Sequence, residues 1–309
     1  MGIDRYELAR EMDRLRQLAM EKWKQDPLPV GRAAEERLQR EVKTLGLQNH
    51  ILDLETDGYT VLPPGKAAPL ELFDELQDAM NQLLGRAKAD NLPDSGLGQT
   101  LFHMLPENPA FEKAIMSDAS LTLVTYLLGY RAKLSQCTGL IKEAGAPALG
   151  IHADHSAKFP APWSNLSNYC VVTWVLTDYT RENGAVCVWP GSHLKGQPVP
   201  PELTMAHDRE EIRVLEVPKG SVIVWHGSLW HGAVPRTSTG RRMTLVLPHV
   251  RDAIQPQELF WASTTEEMIE RNAPRFATLM GLTSAGPWIQ DGPSRDRLAM
   301  APFGGSKFE

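Results

Sequence analysis

Tyr169-Cys170-Val171-Val172-Thr173-Trp174-Val175-Leu176-Thr177 reads as a β-strand, a run of valine, threonine and aromatic residues with no glycine or proline. It is one of seven such segments between residues 131 and 252. The others are Lys133–Lys142, Ala148–Asp154, Ala185–Trp189, Ile212–Val217, Ser221–Trp225 and Met243–Pro248. Turn signals separate them, and no helical period intervenes. That spacing suits a jelly roll or barrel of two sheets rather than alternating βα units.

Outward from this core the texture is helical. Apolar residues recur at helical spacing through Leu8, Met12, Leu15, Ala19 and Trp23, until Pro27-Leu28-Pro29 stops the pattern. Further helices are expected from Ala33 to Leu45, from Pro69 to Ala87, and from Leu121 to Leu128 before Gly129. Between them, Asp57-Gly58-Tyr59-Thr60-Val61-Leu62-Pro63-Pro64 reads as a turn, a short strand and a stop. A last helical stretch, Thr265 to Leu279 with a break at Pro274, precedes a tail rich in glycine and proline. The expected fold is α+β: a jelly-roll core with N-terminal helices packed on one sheet. We expect one domain over residues 1–309, with 1–130 a helical buttress, 131–252 the core, and 253–309 a helix and tail.

A net charge of −6 gives no broad basic surface, which argues against a nucleic-acid partner. No apolar run reaches the length of a membrane span, and the N-terminus has no apolar segment of a secretion signal. Cys137, Cys170 and Cys187 are odd in number and in no zinc spacing. They read as buried thiols in a reducing compartment, so a cytoplasmic location is expected. The loop from Pro190 to Pro201, with Gly191, Gly196 and three prolines near its end, reads either as a lid or as a rigid surface connection.

The chemistry lies in Gly150-Ile151-His152-Ala153-Asp154 and Trp230-His231-Gly232. On a strand, residues two apart share a face, so His152 and Asp154 project together while Ala153 points away. A His-x-Asp pair alone is more often a surface ion pair. His231, in a glycine-bracketed turn after the strand Gly220–Trp225, supplies the third donor. Two imidazoles and one carboxylate holding one face of a metal leave the opposite face open, the arrangement of non-haem Fe(II) oxygenases. Arg242 then opens an apolar strand, and facing inward it would need an anionic partner such as a ligand carboxylate. Arg241 points to the opposite face.

From Asp57 to Asp252 the chain resembles the phytanoyl-CoA dioxygenase family of Fe(II)/2-oxoglutarate-dependent oxygenases. The resemblance rests on Asp57-Gly58-Tyr59-Thr60-Val61-Leu62, His152-Ala153-Asp154, Trp174-Val175-Leu176-Thr177-Asp178 and Glu182-Asn183-Gly184. It continues through Pro190-Gly191-Ser192-His193, Trp230-His231-Gly232-Ala233 and Arg242. It implies a double-stranded β-helix (jelly-roll, cupin-like) core, with His152, Asp154 and His231 as iron ligands and Arg242 as the anchor of 2-oxoglutarate. Trp174 matches an aromatic that lines the co-substrate pocket in some members, so it too is expected to bind cofactor, although a core tryptophan is an equal reading. His193 and His226 read as structural, whereas His155 reads as touching substrate or capping the strand. Some relatives carry a hydroxyl two residues after the distal histidine. Here Ala233 stands there, which leaves Thr138 or Thr173 as candidate secondary contacts.

The resemblance further implies oxidation of a substrate by O2 with release of succinate and CO2. The carboxylate Asp154 favours oxygenation or desaturation over halogenation, which in related enzymes uses a small residue there. Phe159, Trp163, Trp225 and Trp230 suggest a hydrophobic small-molecule substrate. Two other readings compete: a cupin with zinc or manganese, which would not need Arg242, and a non-catalytic binding protein on the same scaffold.

Overall fold

The computed structural model describes residues 5–89 and 98–283, so the glycine- and proline-rich tail expected from the sequence lies outside the described residues. The N-terminal part holds helices α1 (Arg5–Gln25), α2 (Gly31–Thr44) and α3 (Gln48–Thr56), strand β1 (Tyr59–Leu62), and helix α4 (Leu70–Ala89). Strand β2 (Gly98–Leu101) and helices α5 (Pro109–Ile115) and α6 (Asp118–Leu128) follow. Helix α2 stops where the sequence indicated. Gly46 takes φ 60°, and the amides of Gly46 and Leu47 donate back to Lys43 O and Val42 O, closing the last turn.

The β-rich part contains β3 (Lys133–Leu134), β4 (Thr138–Lys142), β5 (Leu149–His152), β6 (Tyr169–Val175) and β7 (Val186–Val188). It continues with β8 (Arg213–Val214), β9 (Val222–His226), β10 (His231–Ala233) and β11 (Arg242–Val250). A seven-stranded sheet runs β1-β9-β6-β11-β4-β2, with β3 also paired to β11. A four-stranded sheet runs β5-β10-β7-β8. The strand pairings of both are antiparallel. Helices α7 (Glu266–Arg271) and α8 (Arg275–Leu279) replace the single C-terminal helix, broken as expected just before Pro274. The strand expected over Lys133–Lys142 is likewise two, because the chain leaves β11 between Leu134 and Thr138. Helices α3 and α5, strand β2 and strand β10 were not anticipated.

The two faces of the larger sheet have different neighbours. Cys170, Val172 and Trp174 of β6 and Met243, Leu245 and Leu247 of β11 join one apolar core with Phe73 and Leu76 of α4 and Leu123 and Val124 of α6. The alternate residues Val171 and Val175 pack instead with Val186 and Val188 of the smaller sheet, in a second core between the sheets. The fold is thus an α+β jelly roll whose helices cover the outer face of one sheet. Strand β6 is buried on both faces along its whole length, which is why its sequence shows no polar–apolar alternation.

Candidate metal centre

The smaller sheet sets the centre. His231 of β10 is the register partner of His152 of β5, and on its other side it faces Val188 of β7, which belongs to the core between the sheets. Directly opposed residues share a face. Both imidazoles therefore point into the space between the sheets. Strand β5 ends at His152, Ala153 remains extended (φ −119°, ψ 136°), and Asp154 starts a 3-10 turn. The i, i+2 relation survives this change. Ile151 and Ala153 are buried with Trp230 on the outer side of the sheet, while His152 and Asp154 face inward.

One donor atom from each of His152, Asp154 and His231 lies within 4.8 Å of the others. His152 Nε2 is 3.9 Å from Asp154 Oδ1, and His231 Nε2 is 3.8 Å from Asp154 Oδ2. Each histidine is oriented by its own backbone: Nδ1 of His152 meets Gly150 O at 2.9 Å, and Nδ1 of His231 meets Leu229 O at 3.0 Å. A carbonyl only accepts, so Nδ1 carries the proton and Nε2 presents its lone pair to the centre. Burial lowers the pKa of His231 and outweighs the opposing pull of Asp154, which keeps that imidazole neutral as a metal requires. The indole of Trp225 donates to Asp154 Oδ2 at 3.3 Å, and its ring lies 5.0 Å from that of His231. This orienting contact was not read from the sequence, where Trp225 was only a candidate pocket residue. The centre opens on one side: the His152 side chain is 41% exposed and that of His231 only 7%.

Two glycines hold the turns around these ligands. A Cβ on Gly232 would sit 2.6 Å from Leu149 O, so the glycine serves the close approach of β10 to β5. A Cβ on Gly227 would meet Tyr169 O at 2.4 Å and the His155 ring at 2.7 Å. His155, buried, packs against Phe159 and Trp163 and bonds Ser228 Oγ at 2.7 Å. His226 bonds Asn165 O and the Ser228 amide, and the buried His193 stacks at 5.3 Å from His226.

On the larger sheet, Arg242 is 2% exposed. Its partners along β11 at the same parity, Thr244 and Val246, lie opposite Val175 and Thr173, so Arg242 points between the sheets. Nη1 donates to Gly184 O, the guanidinium lies 4.9 Å from the Tyr179 ring centre, and Nε has no partner among the described residues. Arg241 faces the other way and pairs with Glu143 at 2.7 Å. Thr138 and Thr173 flank Val246 on the same inner face, both buried with hydroxyls that have no partner among the described residues.

Trp174 is elsewhere, and its expected place on the co-substrate is corrected by the strand's parity. One residue out of step with Thr173, it lies on the helix-facing side, fully buried, with its ring 4.9 Å from Phe73. Trp163 and Trp230 also leave the substrate list, since both pack with Trp189 outside the smaller sheet. The Pro190–Pro201 loop covers that outer cluster. Trp230 donates to Gln197 O at 3.0 Å, and Gly196 O accepts from the Trp163 amide at 2.7 Å.

The profile of the phytanoyl-CoA dioxygenase family (PhyH) matches residues 54–244, a span that contains all three donors and Arg242. The chain belongs to the phytanoyl-CoA dioxygenase family. Among curated relatives, dioxygenase af480 of Aspergillus fumigatus is 25% identical over 258 residues, 79% of each chain. Multifunctional dioxygenase prhA of Penicillium brasilianum is 30% identical over 158 residues, 46% of this chain and half of its own length. Among solved structures, HygX from Streptomyces hygroscopicus, with nickel and 2-oxoglutarate bound, superposes with a TM-score of 0.56 at 16% identity, covering 67% of this chain and 88% of its own. That likeness shows the family's jelly roll. Among the described residues no helix is long and apolar enough to cross a membrane.

Proposed function

We propose that this member of the family uses Fe(II), held by His152, Asp154 and His231, and 2-oxoglutarate, anchored by Arg242, to oxygenate a hydrophobic small molecule. The observation that carries the reading is the convergence of two backbone-oriented imidazoles and one carboxylate within 4.8 Å, on the inner side of the sandwich with a buried arginine that has no carboxylate partner among the described residues. One carboxylate and two imidazole nitrogens suit a divalent iron and leave coordination positions for a chelating co-substrate and O2. When bound, iron and 2-oxoglutarate supply the oxidising chemistry, with succinate and CO2 as co-products.

The chain's own residues place and shield that chemistry. Asp154 is held by the Trp225 indole, so one carboxylate oxygen is fixed by a hydrogen bond while the other is free to ligate. Thr138 and Thr173 offer hydroxyls on the same inner face of the larger sheet as Arg242. The flank of Trp225, and Phe159 beside it in the core between the sheets, present apolar surface on the inner side, which supports a hydrophobic substrate. HygX, with 2-oxoglutarate in its solved structure, supports the co-substrate assignment.

Anaerobic addition of Fe(II) and 2-oxoglutarate is expected to give a weak visible charge-transfer band that Asp154→Ala and His231→Ala abolish. A panel of lipophilic candidates should then include compounds that raise succinate release. A wild-type protein with neither band nor succinate release would overturn the proposal.

A further inference from the structure

Three cations crowd the end of the inner face around Arg242: Lys142, Arg236 and Arg242 itself. Arg236 is accounted for, since its Nη1 donates to Asn183 Oδ1 at 2.7 Å and its Nη2 to Thr239 O at 2.6 Å, tying the loop between β6 and β7 to the loop between β10 and β11. Lys142 is not. It is the register partner of Arg242 on β4, so the two side chains leave the sheet on the same side, with Cβ atoms about 5 Å apart. Its Nζ is closed to solvent and has no hydrogen-bond partner among the described residues. Burial, and then the nearby Arg242, lower its pKa to about 8.

Among the described residues no carboxylate pairs with Lys142 or Arg242, because the adjacent Glu143 is turned outward to Arg241. Two adjacent buried cations are costly to the fold unless an anion is placed between them. Arg242 already spends Nη1 on Gly184 O, which leaves a single edge for a ligand. A carboxylate along that edge accepts one N–H on each oxygen, and the lone pairs its oxygens still hold can accept from the Lys142 ammonium.

We propose that Lys142 is a second cationic anchor, beside Arg242, for the far carboxylate of the 2-oxo dicarboxylate co-substrate. The inference rests on the co-substrate reading above and adds a selectivity residue to it. A 2-oxo acid without a far carboxylate gains nothing from Lys142.

The test compares 2-oxoglutarate with pyruvate, each titrated into Mn(II)-loaded protein and followed by water-proton relaxation at the metal. Lys142→Met should weaken 2-oxoglutarate by about tenfold to a hundredfold, the scale of losing one partner of a buried charge pair. It should leave Mn(II) content and pyruvate binding unchanged, and Lys142→Arg should restore most of the loss. Should Lys142→Met fail to fold, Lys142→Gln gives the same reading. Wild-type affinity for 2-oxoglutarate in these variants, or an equal loss for both acids, would overturn the role of Lys142 alone. A wild-type protein that binds neither acid would instead overturn the co-substrate reading.

Discussion

The two faces of the larger sheet are built from the same strands, yet they do different work. The outer face sets Trp174, Met243 and Leu245 against Phe73 and Leu76 of α4, and its titratable groups, His226 and His249, are kept neutral by burial. The inner face carries Arg242, Lys142, Thr138 and Thr173 among the apolar residues that meet the smaller sheet. Both faces hold buried polar atoms without partners. On the outer side these include the Trp174 Nε1 and the His249 Nε2, single nitrogens of neutral rings, and the Nε of Arg275, a cation that has Glu41 nearby, donates to Thr125 and lies over the Tyr130 ring. On the inner face they belong to two full charges and two hydroxyls. An unpaired buried charge is far more costly than an unpaired neutral nitrogen, so the inner face is the one whose composition asks for a ligand.

If that division is right, truncation on the outer face should cost stability and little else. Phe73→Ala removes the ring under Trp174 and should destabilise by about 3–5 kcal/mol, read by urea denaturation, with 2-oxoglutarate affinity of the folded protein preserved. A smaller effect comes from acid. Burial pushes both His226 and His249 down to about 3. An unfolded imidazole takes up a proton near pH 6.5 that the folded one refuses, so stability is full above that pH and falls as the pH drops toward the folded values. Each histidine should withdraw on the order of 1–2 kcal/mol by pH 5. His249→Leu should therefore flatten the fall in Tm between pH 7 and pH 5. The smallest effect is expected on the inner side, where Trp225→Phe keeps the apolar flank and loses the bond to Asp154. Metal affinity should fall about tenfold with little change in Tm, measured by competition with a chelating dye.

Parity along a strand explains what could be read from sequence and what could not. His152 and Asp154 are two apart beside a small residue, so their shared face was legible even though the strand ends between them. Arg242 was separable from Arg241 because only one of two neighbours can face inward, and the exposed pair of Arg241 with Glu143 matches that choice. Trp174 was not assignable, since all of β6 is buried and an apolar run gives no phase. The contact of Trp225 with Asp154 joins residues 71 apart and leaves no local signal. Lys142 reads as an ordinary charge at a strand end until register puts it opposite Arg242. Strand β2 (Gly98–Leu101) and strand β10 (His231–Ala233) were missed because they carry almost none of the β-branched and aromatic residues that marked the equally short β1 and β7.

The most direct measurement of the division between the faces is the anaerobic 2-oxoglutarate Kd of the Fe(II)-loaded enzyme, taken from the charge-transfer band for two variants side by side. Arg242→Met should weaken binding at least about a hundredfold, while Trp174→Phe should stay within about twofold of wild type. Equal losses in the two variants, or a larger one in Trp174→Phe, would contradict the account.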